Sequence, residues 1–161
     1  MAAPFYLKEK GMDFFQSIRQ GDLADVVAMA TADNSLMTKP DARGFTPLVL
    51  ATYSDQVEIA KFLLSSGVDV NAIDAAGNTA LMGVCFKGNV EIVEMLLEHG
   101  ANVNIQNKQG ASALIYATTF GQIEIARMLL AAGADKHLKD NKGNTALVHA
   151  QAHGAGSLVA L

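Results

Sequence analysis

Apolar residues recur along this chain in short helical stretches of two alternating kinds. In the longer stretches the apolar side chains fall at i, i+1, i+4 and i+5, as in Ile92–Leu97, and glutamates occupy the positions around them. That spacing places the apolar side chains on one face of an α-helix and the charged side chains on the other. The shorter stretches are rich in small residues and carry apolar pairs at i and i+3, such as Leu81 and Val84. The pattern predicts helical hairpins in which neighbouring helices approach closely.

The hairpins repeat four times at a constant period. Gly44, Gly77, Gly110 and Gly143 lie 33 residues apart, and each is followed by a hydroxyl residue and a leucine at fixed offsets. A unit of this length cannot bury its apolar face alone, and about three or more must stack for stability. The period therefore predicts an all-α solenoid of stacked helix-turn-helix units.

Each repeat is predicted to begin with a tight turn. The glycine that marks the period can adopt positive φ without a Cβ clash, and an aspartate or asparagine three residues earlier helps to close the turn. Asn71 and Asn104, which lie between repeats, are predicted to hydrogen-bond to the backbone. The hydroxyl residues lie where the first helix of each repeat begins, and we interpret them as N-caps: Thr46, Thr79, Ser112 and Thr145.

The repeats resemble those of the ankyrin-repeat family in two phrases that occur in register. The first, D-x-x-G-x-T-P-L, is read at Asp41–Leu48, and the second, G-x-x-x-I/V-x-x-L-L-x-x-G-A-D/N-V-N, is read at Gly88–Asn104. The match runs from about Asp41 to the last residue. It departs from the family in two ways: the proline of the first phrase occurs in the first copy only, as Pro47, and Asp55 stands where glycine is usual. The resemblance implies an ankyrin-repeat solenoid with short β-turn or hairpin tips.

Residues 1–161 are predicted to form a single domain. Two helical patterns, Met12 to Gln20 and Asp22 to Ala30, precede the first repeat without its turn phrase, and we interpret them as a cap over its exposed face. The loop from Thr31 to Pro40 is the longest connection and the predicted site of mobility. The fourth copy stops early, so we expect either a truncated chain or an apolar edge that something else covers. The predicted units are 1–40 (N-terminal arm and capping helix pair), 41–73, 74–106, 107–139 and 140–161 (truncated C-terminal repeat).

The composition of the chain indicates which partners and which cellular compartment to expect. The net charge of −4 lacks the basic excess that phosphate binding requires, so nucleic acid is not an expected partner. Met1–Lys10 does not read as a signal peptide, and no apolar run approaches the roughly 18 residues of a spanning helix. The one cysteine, Cys85, is predicted to be a buried, unreactive thiol. We therefore expect a cytoplasmic protein that does not bind a membrane.

Candidate catalytic chemistry is sparse. His149 and His153 have the i, i+4 spacing that can bring two imidazoles to one metal ion, but no third ligand is apparent, and we interpret them as surface or capping residues. Glu58, Glu91 and Glu124 share one phase on the second helices, which predicts a row of solvated like charges rather than an acid and base pair. The sequence predicts a protein that is not an enzyme and holds no metal or cofactor.

The resemblance also indicates a candidate partner-binding surface. In the family, a partner usually meets the turn tips and the exposed side of the first helices, which line a concave groove. There this chain carries aromatic residues that its core does not need, with cations beside them, as in binding hot spots. The alternative is that the rings fill grooves between first helices and stack on one another. The predicted partner-binding residues are Arg43, Phe45, Tyr53, Phe86, Lys87, Lys108 and Phe120.

Three functions compete on this reading. The first is a non-catalytic protein-protein interaction module, monomeric in isolation, that inhibits or scaffolds a protein partner. The second is a self-associating structural or regulatory protein that uses its apolar N-terminal arm, Pro4 to Leu7, or its terminal repeat. The third, a small enzyme, requires the two C-terminal histidines to bind a metal ion. We favour the first, because a rigid stack of repeats with an aromatic surface is suited to binding.

Overall fold

A computed structural model describes residues 11–154 and shows a row of helical hairpins. Within that range the predicted all-α solenoid is confirmed, and a short 3-10 helix, Asn34–Met37, lies between the second and third α-helices. The first helices of the repeats contact one another in the order α3, α5, α7 and α9. The α-helices are α1 Phe14–Gln20, α2 Leu23–Ala32, α3 Pro47–Tyr53, α4 Val57–Ser65, α5 Ala80–Lys87, α6 Val90–Glu98, α7 Ala113–Thr119, α8 Ile123–Ala131 and α9 Ala146–Ala152.

The turn that opens each repeat is closed by one acidic or amide side chain. In the first repeat the Asp41 carboxylate accepts hydrogen bonds from the backbone N–H groups of Arg43 and Phe45, at 2.9 and 3.0 Å. Gly44 supplies the left-handed residue of this turn, with φ of 84°. The later turns are closed in the same way by Asp74, Asn107 and Asp140. Because every turn uses the same bonds, the tips present their side chains in register.

The predicted N-caps are confirmed in three repeats and wrong in the fourth. Thr46, Thr79 and Ser112 each accept a hydrogen bond from the backbone N–H three residues later, at 3.2 to 3.3 Å. Thr145 accepts no such bond and instead pairs its backbone with Lys139 in an isolated antiparallel bridge. The first three turns each have the next tip packed against them. The fourth has no such neighbour among residues 11–154, where a Cβ added to Gly143 would meet nothing within 4 Å.

The core runs through all the repeats. The apolar face of α6 is sealed, with the side chains of Ile92, Val93 and Leu96 fully buried. Cys85 on α5 is also fully buried, as predicted, and burial raises the pKa of its thiol. A thiol that stays protonated is a poor nucleophile, so Cys85 contributes packing rather than chemistry.

The two helices before the first repeat pack against it. Phe14, Ile18 and Val26 on α1 and α2 are buried in the same core as the repeats. The amide of Gln56, which follows α3, donates to the Arg19 carbonyl oxygen at 3.3 Å and ties the cap to the first repeat. The first face of the stack is therefore covered by these two helices.

The segment predicted as a long loop after the cap is largely ordered into helix. The second cap helix continues to Ala32, and the carboxylate of Asp33 accepts the Ser35 N–H at 3.0 Å at the start of the 3-10 helix. Leu36 and Met37 in that helix pack on the core. Treating 31–40 as a plain loop was wrong, because a local side-chain cap and two apolar contacts fold it.

Amide side chains link the loops between repeats, as predicted. Asn71 Oδ1 accepts the N–H of Asn102 at 2.8 Å, and one repeat later Asn104 Oδ1 accepts the N–H of Asp135 at 2.7 Å. These exposed bonds satisfy one backbone N–H group across each junction. They assign both asparagines a structural role.

Two predicted edges fall beyond the part of the chain that the structure describes. The arm Pro4 to Leu7 and the terminal segment Gly156 to Leu161 lie outside residues 11–154. Self-association through them stays a prediction. Among the described helices, none combines the length and the apolar character needed to traverse a lipid bilayer.

Successive tips contact each other through their backbones. The N–H of Lys108 donates to the Ala76 carbonyl oxygen at 3.1 Å, and the N–H of Asn141 donates to the Gln109 carbonyl oxygen at 2.9 Å. A Cβ added to Gly110 would lie 2.9 Å from the Asn141 backbone nitrogen. The tips are packed too closely there to accept a side chain.

This packing predicts unequal effects of the same substitution in two repeats. Gly110→Ala and Gly143→Ala both place a side chain at positive φ, 73° and 82°, which costs about 1–2 kcal/mol in each. Only the first also pushes against the next tip, since a Cβ on Gly143 would meet nothing within 4 Å. We expect Gly110→Ala to lower the free energy of unfolding by about 1–3 kcal/mol more, measured by urea denaturation. Equal losses would contradict tight tip stacking.

Candidate partner-binding surface

Aromatic rings form a continuous row along the first helices of three repeats. The ring centroids of Tyr53 and Phe86 are 6.0 Å apart and nearly parallel, at 7°. Phe86 meets Phe120 edge to face at 4.6 Å, and Phe120 stacks on Tyr116 at 6.2 Å. We call these four residues the aromatic row. Each ring is oriented by a ring from a neighbouring repeat or from its own helix.

Stacking orients these rings without burying them. Tyr53, Phe86 and Phe120 keep 45%, 41% and 44% of their surface exposed. The rings stack on one another and also face solvent, and their role in binding a partner stays a prediction. A side chain already held in place loses less conformational entropy on binding than a free one. The row is an exposed apolar surface in a fixed arrangement.

A groove of about 550 Å³ lies beside the row, between the first helices and the tips of the first two repeats. Its lining includes four of the predicted residues, Arg43, Phe45, Tyr53 and Phe86. Phe45 is half-buried at the tip end of the groove. These four side chains, which come from two repeats, are thus brought together as predicted.

Sequence reasoning missed Gly83, which opens this groove. It lies inside α5 without positive φ, and a Cβ there would find only the Tyr53 ring, at 3.8 Å. The same position in the other repeats is filled by Leu50, Tyr116 and His149. A glycine inside a helix costs about 1 kcal/mol relative to alanine, and that cost was the signal available from sequence.

The predicted cations differ in how far the protein itself engages them. Arg43 is exposed and makes no ion pair with a carboxylate among the described residues. The Lys87 ammonium lies 3.8 Å from Asp55 and 5.2 Å from the centre of the Tyr53 ring. The Lys108 ammonium donates to the Ala75 carbonyl oxygen at 2.6 Å, away from the groove. Arg43 is therefore the predicted cation best placed to meet a ligand in the groove.

The residue at the family's glycine position holds Lys87 in place. Asp55 adopts φ of 57°, a left-handed conformation that aspartate tolerates better than most residues. Its carboxylate accepts the amide of Asn89 at 3.1 Å and also faces Lys87. The ammonium of Lys87 is consequently held over the edge of the aromatic row.

One of the two histidines of the last repeat contacts its turn. His149 Nε2 donates to the Asp140 carboxylate at 2.8 Å, and His153 is exposed. Hydrogen bonds, first from the Asn144 N–H and then from the His149 ring, lower the pKa of Asp140. Within residues 11–154 no group of three or more His, Cys, Asp or Glu side chains is placed to hold a metal ion.

The lowered pKa of Asp140 predicts an acid-sensitive turn. Since the folded pKa lies below the ordinary value of about 3.9, the ionised form stabilises the fold above that pH, and this contribution is lost as pH falls through the folded pKa. Asn107 closes the equivalent turn as an amide, so Asp140→Asn should fold. We expect the difference in unfolding free energy between wild type and Asp140→Asn to shrink between pH 6 and pH 3, measured by urea denaturation. A constant difference would contradict the assigned stabilisation.

Comparison with known proteins agrees with this architecture. A family profile described as "Ankyrin repeats (3 copies)" matches residues 72–140 and 104–161, and one described as "Ankyrin repeat" matches 43–75. Together they cover most of the chain. The chain belongs to the ankyrin-repeat family. Ankyrin repeats are typically protein-protein interaction modules without catalytic activity.

Two curated relatives match part of this chain. DNA-binding protein RFXANK from Homo sapiens is 36% identical over 58 residues, which cover 36% of this chain and 22% of the relative. The protein of the same name from Mus musculus is 50% identical over 36 residues, which cover 22% of this chain and 13% of the relative. The matched part is thus less than a quarter of each relative's length.

Proposed function

We propose that this ankyrin-repeat protein is a non-catalytic module that captures a protein partner through the aromatic row and the neighbouring turn tips. The observation that carries the proposal is that Tyr53, Phe86 and Phe120 are all more than 40% exposed and yet held by mutual stacking. The fold does not need exposed rings at these positions. A partner that covers them gains apolar burial from side chains that are already ordered.

The contribution of such rings to binding is large. Aromatic side chains bury roughly 150–250 Å² each and dominate the energetics of interfaces. Hot spots, which lose about 2 kcal/mol or more on truncation to alanine, are enriched in tyrosine and arginine. Tyr53 and Arg43 supply both residue types beside one groove. This composition supports the groove end of the row as the centre of the interface.

Charge placement favours a protein with an acidic or polar epitope. Of the cations without a carboxylate partner among the described residues, Arg43, Lys108 and Lys142 lie at the turn tips, Lys39, Lys136 and Lys139 lie between the helical units, and Arg127 lies on α8. The second helices also carry acids without a cationic partner there, among them Glu91, Glu94, Glu98 and Glu124. An acidic epitope is attracted to the tips and repelled by the opposite side of the stack.

We propose a protein, rather than nucleic acid, as the partner. The relatives are named as DNA-binding, but the shared segment is only 58 residues of this chain. The net charge of −4 lacks the excess of Lys and Arg that neutralises phosphates. We further propose that the ankyrin-repeat protein itself is cytoplasmic, is monomeric in isolation and uses no cofactor. Its capture of the partner would either inhibit the partner or scaffold it.

Affinity capture with matched baits tests the proposal. Wild type and a variant with Tyr53→Ala and Phe86→Ala are immobilised at equal density, and the recovered proteins are identified by mass spectrometry. We expect a partner that the wild type recovers and the variant does not. Recovery of the same partner by both baits would locate binding elsewhere and overturn the proposed surface.

A further inference from the structure

Nothing in the fold requires a glycine at position 83, although glycine leaves an open space in the groove there. The residue has no positive φ that would demand glycine, and an added Cβ would make only an ordinary contact with the Tyr53 ring. Its counterparts at the same position in the repeat, Leu50 and Tyr116, carry large side chains that flank the gap. A helix is more stable with alanine than with glycine inside it. What glycine provides here is room in the groove.

The walls of this gap are apolar and aromatic. Leu50 and Met82 form its floor, and the rings of Tyr53 and Phe86 stand beside it. Both floor residues are buried core side chains that keep one face toward the groove. An apolar side chain entering the gap would bury its surface against these apolar groups. We call this gap the Gly83 subsite.

The rim of the subsite offers hydrogen-bond donors. The guanidinium of Arg43 makes no ion pair among the described residues. The Tyr116 hydroxyl accepts from the Asn107 amide at 3.1 Å, which leaves its own O–H to donate. The Asp74 carboxylate, by contrast, already accepts the N–H groups of Ala76 and Asn78. A ligand at the rim is met by donors, and a carboxylate suits them.

We propose that the partner presents an extended segment in which one bulky apolar side chain enters the Gly83 subsite and a nearby acidic residue pairs with Arg43. The inference rests on the proposed function and names the chemistry that the same surface selects. The aromatic row continues beyond the groove to Phe120, so an extended segment can contact ring after ring. A compound that fills only the groove would leave that end of the row uncovered.

A random peptide library displayed on phage tests this inference with the full chain immobilised. We expect enriched peptides to share a bulky apolar residue with Asp or Glu close to it in sequence. Gly83→Leu, which fills the subsite, should weaken binding of an enriched peptide by about tenfold to a hundredfold. Gly83→Ala should weaken peptide binding less than Gly83→Leu does. The thermal midpoint of the Gly83→Ala variant should not fall below that of the wild type. Arg43→Glu should shift the preference of the library from acidic to basic residues.

The outcomes separate this inference from the proposed function. Peptides that need Tyr53 and Phe86 but ignore Gly83→Leu, or that carry no acidic residue, overturn the inference and leave the binding surface standing. If no peptide is enriched, the proposal that the partner binds through an extended segment is wrong. The proposed function is then still tested separately, by capture of a partner protein. Peptides that bind Tyr53→Ala and Phe86→Ala variants as well as wild type overturn both.

Discussion

Changing Tyr53 and Phe86 together to alanine is expected to weaken partner binding by about a hundredfold or more and to leave the fold intact. The two rings stack on each other across a repeat boundary and are each more than 40% exposed. Their loss removes contact area from the interface and little from the core. The stack itself contributes about 0.5–1.5 kcal/mol to stability, so the thermal midpoint should fall only slightly.

A matched control separates the aromatic surface from general hydrophobicity. Ile73 is 55% exposed but lies outside the groove and the aromatic row. Ile73→Ala should bind the captured partner as wild type does, when the dissociation constants of the purified proteins are compared by calorimetry. Equal loss in Ile73→Ala would mean that any exposed apolar residue attracts the partner. Full binding by the double alanine variant would remove the aromatic row from the interface.

The largest loss of stability is expected from Leu96→Ala. The Leu96 side chain is fully buried in α6, in the middle of the stack, and its truncation leaves a cavity. Comparable substitutions cost about 2–5 kcal/mol, against a total stability of about 5–15 kcal/mol for a typical domain. Because each repeat is stabilised by its neighbours, a weakened central repeat also loosens the two beside it. Urea denaturation followed by circular dichroism measures the change.

The adjacent leucine provides the control for burial. Leu97 has the same chemistry and the same helix, but its side chain is only half-buried. Leu97→Ala should therefore cost about 1 kcal/mol or less, in keeping with substitutions at partly exposed positions. If both variants lost equal stability, the orientation of α6 in the stack would be wrong. If Leu96→Ala showed a second unfolding transition at lower urea concentration, the stack would instead unfold in two parts that separate at its centre.

Much of the fold could be predicted from the residues of one repeat. Thr46 caps the helix that begins at Pro47, and Asp41 closes the turn around Gly44, as the local phrase indicates. These interactions join residues within about one turn of chain, so their partners are visible in the sequence. Thr145 occupies the same place in the phrase but accepts no capping hydrogen bond, which the phrase does not reveal.

The candidate surface could be predicted only in part. Repeat register indicated that Tyr53 and Phe86 face outward, and both are exposed. It did not show that Lys108 is held by the carbonyl oxygen of Ala75 or that Gly83 opens a groove. Such contacts join residues about a full repeat apart. Their geometry follows from how repeats stack, which the residues of one repeat do not determine.

The amino-acid sequence by itself determined the repeat, its helices, its turns and the family. The period of apolar residues and the short-range capping bonds both depend on residues that are close together in the chain. Only the tertiary structure decided which exposed groups act together. Tyr53 and Gly83, 30 positions apart in the chain, come to line one groove because the packing of buried α3 against α5 sets their distance. That packing is a sum over many core contacts and is not contained in any local pattern.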